Sequence, residues 1–354
     1  MQKNQLKQNI IILKNDAVGD LTQSLKAISN IIKSHKDAKI TIYLSERSKN
    51  FSFLIKEKNI KIVIIKYDLS LFQKIKFLKL FALKNISKVF ILTPKNFYFM
   101  LPFIFRRIKF YALCINGPKN YYRPSIFLRK FLFKFVVNHR EAIFKRSSTI
   151  DLQINLTKGK NTSSIDNKLE FNFNNSELLN KYLPKNYLYF HFKKNNFKKL
   201  GWNLNDMNLL FNEFLKYFDN IIFTKDIESK YKNNLIFDNY NILDFSNGNF
   251  IKKNNNIFLY ENITGKNLYN VIKYSNKVVA FHGMMTNLAA IEKRPVIDLW
   301  YSKIKNWEDY RNNRNAFYEF KPNYKSYNFI IPRKDMNKTI IKMKYALKNN
   351  HYKW

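Results

Sequence analysis

Hydrophobic residues in the first half of the chain fall into short β-branched runs separated by stretches with helical spacing. Asn9-Ile10-Ile11-Ile12-Leu13-Lys14 is an apolar run bounded by polar residues and predicts a buried strand. Leu21, Leu25, Ile28 and Ile32 follow at spacings of four, three and four, which places them on one helical face. Lys39 to Leu44, Lys61 to Lys66, Lys88 to Leu92 and Lys109 to Ile115 are further strand candidates. A helix carrying Leu71, Ile75, Leu78 and Ala82 separates two of them. This alternation predicts a parallel, doubly wound sheet.

Between Asp151 and Asn174 the pattern dissolves into polar residues, including Lys158-Gly159-Lys160-Asn161-Thr162-Ser163-Ser164, so a domain boundary is expected nearby. A second alternation then begins. Tyr187 to Phe192, Asn220 to Thr224, Ile257 to Tyr260, Lys277 to Phe281 and Val296 to Trp300 read as strands. Met207 to Phe218, Lys266 to Tyr274, Thr286 to Lys293 and a basic stretch from Lys334 to Lys348 read as helices. The expected architecture is α/β, with two Rossmann-like domains over residues 1–160 and 161–354.

Composition agrees with two domains, because 354 residues exceed the usual size of one hydrophobic core and 46% apolar content fills two. The longest apolar stretch, Phe97 to Phe105, contains Pro102 and falls far short of the roughly 20 residues of a membrane-spanning helix. Ile10 to Leu13 is too short for a signal-peptide core, so a cytoplasmic location is expected. The single cysteine, Cys114, has no internal partner, and no Cys or His cluster has zinc spacing, so no structural metal is expected.

A formal net charge of +38 creates a field that favours anionic partners: nucleic acid, anionic lipid or phosphorylated substrates. Abundant Lys, Asn, Ile, Phe and Tyr read as a chain-wide bias, so the charge alone names no ligand. Phe97 to Phe144 mixes apolar residues with Arg106, Arg107, Lys109, Arg123, Arg129, Lys130, Lys134 and Arg140. Such a surface suits the anionic cytoplasmic leaflet; the other reading makes the aromatics core and the cations their solvated backs.

Only seven glycines are present, and Gly19, Gly201, Gly265 and Gly283 lie at or beside predicted strand-helix junctions, where open α/β sheets bind ligands. At the first junction, Lys14-Asn15-Asp16-Ala17-Val18-Gly19-Asp20, Gly19 allows a tight turn and Asp20 stands at the helix start. Asp20 reads either as an N-cap or as a catalytic carboxylate. At the second, Phe281-His282-Gly283-Met284-Met285-Thr286-Asn287, a glycine turn opens a helix whose free N–H groups and Thr286 hydroxyl suit an anion; an ordinary capped turn is the alternative. A third segment, Phe192 to Trp202, offers Lys193, Lys194, Lys198 and Lys199 to a diphosphate, or simply to solvent.

Together these segments resemble the bacterial lipopolysaccharide heptosyltransferases, glycosyltransferase family 9, which have the GT-B fold. Lys14, Gly19 and Asp20 match that family's first strand-helix junction at equal spacing. Lys199 and Trp202 are similar to its second-domain loop with one extra residue, and Gly265-Lys266 looks like the pair before its last motif. That last motif, Asp-Thr-Gly, two residues, His, then Leu-Ala-Ala, aligns with His282 to Ala290, followed by Pro295-Val296-Ile297. The Asp-Thr-Gly and His identities are replaced at His282 to Met284 and at Asn287. His282-Gly283 and Thr286 look instead like the His-Gly-Gly, two residues, Ser or Thr of other GT-B enzymes, which contacts the donor diphosphate.

The resemblance implies a GT-B fold, with two Rossmann-like domains facing a central cleft, acceptor on the first and nucleotide sugar on the second, and a final basic helix turning back toward the first. It implies metal-independent transfer of heptose or another sugar to a lipopolysaccharide-core or other surface glycan. Asp20 would be the general base, and Lys14 and Gly19 the acceptor or phosphate wall. Lys193, Lys199, His282, Gly283, Met284, Thr286 and Asn287 would bind the donor. The implied partners are a nucleotide diphosphate sugar, a glycolipid or oligosaccharide acceptor and an anionic membrane surface, with no cofactor, no specific nucleic acid and a monomeric chain, cytoplasmic or peripheral on the inner face of the inner membrane. The rival readings are a nucleic-acid-binding protein, on charge and interleaved aromatics, and an inactive GT-B-like binding module, on the altered motif at His282.

Overall fold

A computed structural model describes residues 8–55, 60–114, 135–138, 149–157, 169, 171–226, 239–253, 255–301, 317, 320–322 and 324–349. The chain divides into two compact units, Met1–Phe171 with Tyr318–Lys321, and Asn172–Phe317 with Pro322–Trp354. The polar stretch 158–164 lies outside the described residues, as do Arg123, Arg129, Lys130, Lys134 and Arg140 of the basic aromatic segment.

The first unit is built on β1 (Asn9–Lys14), β2 (Lys39–Ser45), β3 (Ile60–Ile65), β4 (Lys88–Ile91), β5 (Lys109–Cys114) and β6 (Phe135–Asn138). They pair in the order β3-β2-β1-β4-β5-β6, all parallel. The order steps outward in both directions from β1, so the topological switch point lies between β1 and β4. Helices α1 (Val18–Ser34), α2 (Leu71–Leu83), α3 (Asn96–Ile104) and α4 (Thr149–Thr157) complete it, with a 3-10 helix over Glu46–Leu54. Ile11 and Leu13 pack against Phe77, Phe81, Tyr98 and Phe99 of α2 and α3. Ile10 and Ile12, also buried, point to the opposite face of the sheet by strand alternation.

Helix α2 forms as predicted but presents a different face to the core. Phe77 and Phe81 are buried, whereas Leu71, Ile75 and Ala82 are exposed. The aromatic rings decide the rotation: Phe77 lies 5.0 Å from Tyr43 and 5.1 Å from Phe81, and Phe81 lies 5.6 Å from Phe105. Phenylalanine buries more apolar area than leucine or isoleucine, so its face wins. In the described half of the basic aromatic segment, Tyr98, Phe99 and Phe110 are core, with Arg106 and Arg107 exposed.

The second unit holds β7 (Tyr187–Phe192), β8 (Asn220–Lys225), β9 (Asn241–Asp244), β10 (Phe250–Ile251), β11 (Ile257–Glu261), β12 (Lys277–Phe281), β13 (Val296–Leu299) and β14 (Tyr327–Ile330). Their order is β10-β9-β11-β8-β7-β12-β13-β14, and only β10 runs antiparallel to its neighbour. The helices are α5 (Glu177–Tyr182), α6 (Lys194–Leu200), α7 (Leu204–Phe214), α8 (Gly265–Tyr274), α9 (Met284–Ile291) and α10 (Met336–Lys348). Helix α7 starts three residues before the predicted Met207 because Asn203 and Asp206 form a reciprocal capping box, at 3.1 and 2.9 Å.

Helix α10 places Met336, Ile340, Met343 and Leu347 in the second unit's own core, beside Trp202 and Phe281. Its C-terminal carbonyls are held by the buried Lys277 of β12, whose Nζ donates to Ala346, to Leu347 at 2.8 Å and to Asn349 at 3.1 Å. A cation at a helix C-terminus is the favourable end for its charge.

Candidate functional site

Each unit carries a polar cluster at the carboxyl ends of its parallel strands, the edge at which open α/β sheets bind ligands. In the first unit α1 begins at Val18, with Ala17 as an N-cap that makes no side-chain hydrogen bond. Asp20 is therefore the third helical residue and not the cap. Gly19 is the second, without a positive φ, which corrects its expected role as the turn. The Asp20 carboxylate is partly exposed and makes no hydrogen bond or ion pair among the described residues. A carboxylate in a first turn is favoured by the helix dipole while keeping its oxygens available to a ligand.

Lys14 is buried, so it forms no open wall. Its Nζ lies 2.7 Å from Oδ2 of Asp16, and the Thr93 hydroxyl donates to the same oxygen at 3.0 Å. Asp16 Oδ1 is buried without a hydrogen-bond partner among the described residues. Burial pushes the Asp16 carboxyl above its usual range; Lys14 opposes the shift and the charge of Asp20 adds to it. Next to this pair, Asn15 donates to the carbonyls of Lys66 and Tyr67 at 3.3 and 3.2 Å and accepts from Tyr98 at 2.7 Å, fixing the ends of β1 and β3 together.

Two cations gather on Tyr67: the Arg47 guanidinium 4.0 Å and the Lys95 ammonium 4.1 Å from its ring centre. Lys95 also donates to the Tyr67 carbonyl and lies 3.8 Å from Asp68. Burial pushes the Tyr67 hydroxyl pKa up; Arg47 opposes this, and the charges of Asp20 and Asp16 both reinforce it. Asp16, Arg47, Tyr67, Thr93 and Lys95 were missed in the sequence, although each follows a strand by two to four residues, the signal that would have found them.

In the second unit the structure brings together Lys193, His282 and Gly283. Lys193 directly follows β7, and its Nζ donates to the His282 carbonyl at 2.8 Å. Burial lowers the Lys193 pKa, opposed by Asp226 and Asp298. Gly283 has φ 152°, a backbone conformation that side chains rarely adopt, and a Cβ there would stand 2.9 Å from Lys193 Nζ. Glycine thus lets the lysine approach the start of α9, whose first turn presents backbone N–H groups from Met284 onward.

Thr286 departs from expectation. Helix α9 starts two residues before the predicted point, so Thr286 is buried in its first turn, where its hydroxyl donates to the Gly283 carbonyl at 2.8 Å and accepts from the Gly283 N–H at 3.2 Å. It shapes the turn instead of facing a ligand. Asn287 is buried as well, whereas Met284 is partly exposed. Lys199 is exposed in the last turn of α6, its ammonium 5.7 Å from the Tyr301 ring centre, and makes no hydrogen bond in the Lys193 cluster. Trp202 is an internal anchor, donating to the carbonyls of Arg333 and Lys334 at 2.9 and 3.0 Å.

Behind this junction lies a second group missed in the sequence. The buried Asp298 of β13 meets Nδ1 of His282 at 2.7 Å and the Tyr327 hydroxyl at 2.7 Å, both on Oδ2, and the Trp300 ring centre lies 4.1 Å from that of His282. On the other side of Lys193, the buried His191 meets Thr224 at 2.9 Å and Asp226 at 3.2 Å. Burial lowers the His191 pKa, and Asp226 opposes the shift. An acid inside the apolar run Val296-Ile297-Asp298-Leu299 was the available signal, since a buried carboxylate needs a partner.

The two strand orders, the helices between the strands and the polar clusters at their carboxyl ends define a GT-B type α/β fold. Among solved structures the chain is similar to a glycosyl transferase family 9 protein from Veillonella parvula, at 11% identity and a TM-score of 0.60, covering 96% of this chain and 92% of that one. It is also similar to the E. coli ADP-heptose lipopolysaccharide heptosyltransferase II, at 12% identity and a TM-score of 0.59, covering 97% and 99% of the two chains. The UDP-GlcNAc 2-epimerase of Methanocaldococcus jannaschii shares the fold too, at 14% identity and a TM-score of 0.56 over 98% and 94%. No protein-family model and no curated protein matches the sequence.

Proposed function

We propose that the chain is a glycosyltransferase that moves a sugar from a nucleotide diphosphate donor to a hydroxyl of a surface glycan. The observation that carries this reading is the Asp20 carboxylate, unpaired among the described residues, in the first turn after β1, in a fold shared with family 9 transferases. In the proposed step the acceptor oxygen attacks the anomeric carbon, Asp20 takes the proton from that oxygen, and the bond from the anomeric carbon to the diphosphate breaks. The nucleotide diphosphate leaves with the bonding electrons. Lys193 and the first-turn N–H groups of α9 stabilise its charge, with His282 held beside them by Asp298. Of the two lysines expected to bind the donor, Lys193 and Lys199, Lys193 is the one whose ammonium reaches Gly283. ADP-heptose, named for one structural neighbour, is the first donor to try.

A thermal-shift screen against ADP-, UDP-, GDP- and CMP-sugars tests donor binding, since a true donor stabilises the protein by mass action. A donor hit is then followed for sugar transfer and for epimerisation. Transfer that disappears in Asp20→Asn supports the proposal. Epimerisation without transfer, or salt-sensitive RNA binding with no nucleotide-sugar shift, overturns it.

A further inference from the structure

Helix α2 leaves an apolar face uncovered among the described residues. Leu71 and Phe72 are each 75% exposed, Ile75 46% and Leu83 85%. Lys76, Lys79 and Ala82 are exposed with them. These positions recur at helical spacing, so they form one stripe opposite Phe77 and Phe81, which fill the core. Helix α3 packs on the same face of the sheet, where Phe97 and Tyr98 both contact Phe77, and it leaves Met100 and Ile104 45% and 56% exposed.

Asp68 stands exposed two residues before the Ser70 cap of α2, and beyond it the charge along the sequence has one sign. From Leu69 to Arg140 the sequence contains no Asp or Glu, while Lys76, Lys79, Lys84, Arg106 and Arg107 are all exposed. We propose that the outer face of α2 docks on an anionic lipid bilayer, with Leu71, Phe72, Ile75 and Leu83 entering the acyl boundary and Lys76, Lys79 and Lys84 meeting the headgroups. A 13-residue helix is only about 20 Å long, and no described helix is long and apolar enough to cross a membrane, so α2 lies in the interface plane. A second copy of the chain fits less well, because like lysines on the two faces would repel. Nucleic acid fits the cations but leaves four large apolar side chains unmatched. The proposal is independent of glycosyl transfer.

The test is co-sedimentation of the full chain with vesicles of equal parts phosphatidylcholine and phosphatidylglycerol, beside vesicles of phosphatidylcholine alone, at low and high salt. The protein is expected to sediment with the anionic vesicles and to be released by salt. Leu71→Ser with Phe72→Ser and Leu83→Ser lowers the vesicle-bound to free ratio roughly tenfold or more, with an unchanged thermal midpoint because all three are exposed. Lys76→Gln with Lys79→Gln, which leaves packing untouched, also lowers it, whereas Lys338→Gln with Lys342→Gln on α10 does not. The proposal is overturned if wild type ignores anionic vesicles, if the α10 pair weakens binding as much as the α2 pair, or if the serine variant abolishes self-association instead of vesicle binding.

Discussion

In the second unit, His282 turns Nδ1 toward Asp298 at 2.7 Å, and Asp298 has no exposed side-chain surface. A carboxylate only accepts, so Nδ1 carries the hydrogen, and the ring is fixed in orientation. Tyr327 donates to the same oxygen, and the His282 carbonyl receives Lys193, so a buried acid braces the residues at the start of α9. Asp298→Asn is expected to weaken binding of the best nucleotide diphosphate roughly tenfold and to lower stability by about 1 to 3 kcal/mol, because a neutral amide oxygen accepts the two donors less strongly than a carboxylate and its NH2 is buried where Oδ1 has no partner among the described residues. Calorimetric titration and urea unfolding measure the two effects. Unchanged affinity in a folded variant would remove Asp298 from the site.

Asp20 and Asp16 lie four residues apart and should respond differently to substitution. Asp20→Asn removes a carboxylate with no hydrogen-bond or ion-pair partner among the described residues, so stability is expected to stay within about 0.5 kcal/mol while transfer falls by two orders of magnitude or more. Asp16→Asn breaks the buried ion pair with Lys14 and is expected to cost about 3 to 5 kcal/mol. Replacing both, as Lys14→Met with Asp16→Leu, should recover much of that loss, since an apolar pair leaves no buried charge uncompensated. Chemical denaturation of the three proteins separates these outcomes.

How far the sequence revealed this molecule depended on the length scale of the signal. Strands β1, β7 and β12 were legible because strands buried on both faces read as unbroken apolar runs, and their order gave the α/β class. The short strands β9, β10 and β14 were not, since two to four residues carry no periodicity. On α2 the spacing announced a helix but not its rotation, which the rings of Phe77 and Phe81 set through partners distant in sequence. The site behaved likewise. Gly283 and Asp20 stood out by residue type and position, whereas Asp16, Arg47, Asp298 and Tyr327 acquire meaning only when separate strand ends are brought side by side.

Gly283 tests whether the approach of Lys193 matters. Gly283→Ala places a methyl group 2.9 Å from Lys193 Nζ and forces alanine to φ 152°. The backbone strain is expected to cost about 1 to 3 kcal/mol, and the displaced lysine should weaken diphosphate binding further than that loss explains. Lys193→Met, with glycine retained, gives the reference: weaker binding of the diphosphate with little loss of stability. If Gly283→Ala lowers the thermal midpoint but binds nucleotide normally, the glycine serves the turn alone.

Lys277 gives the fold a pH signature. Its ammonium binds the last carbonyls of α10, yet burial pulls its pKa down to about 8 from the usual 10.5. Between those two values the unfolded chain holds a proton on Lys277 that the folded chain has released. The unfolding free energy attributable to this residue therefore rises as pH increases from about 8 to 10.5, and is flat below and above that window. Lys277→Met cannot titrate and lacks this rise. Urea unfolding of both proteins at matched pH values isolates it, because every other titrating group cancels in the difference. A difference that stays constant across the window would mean that the helix carbonyls hold the proton on Lys277 against its burial.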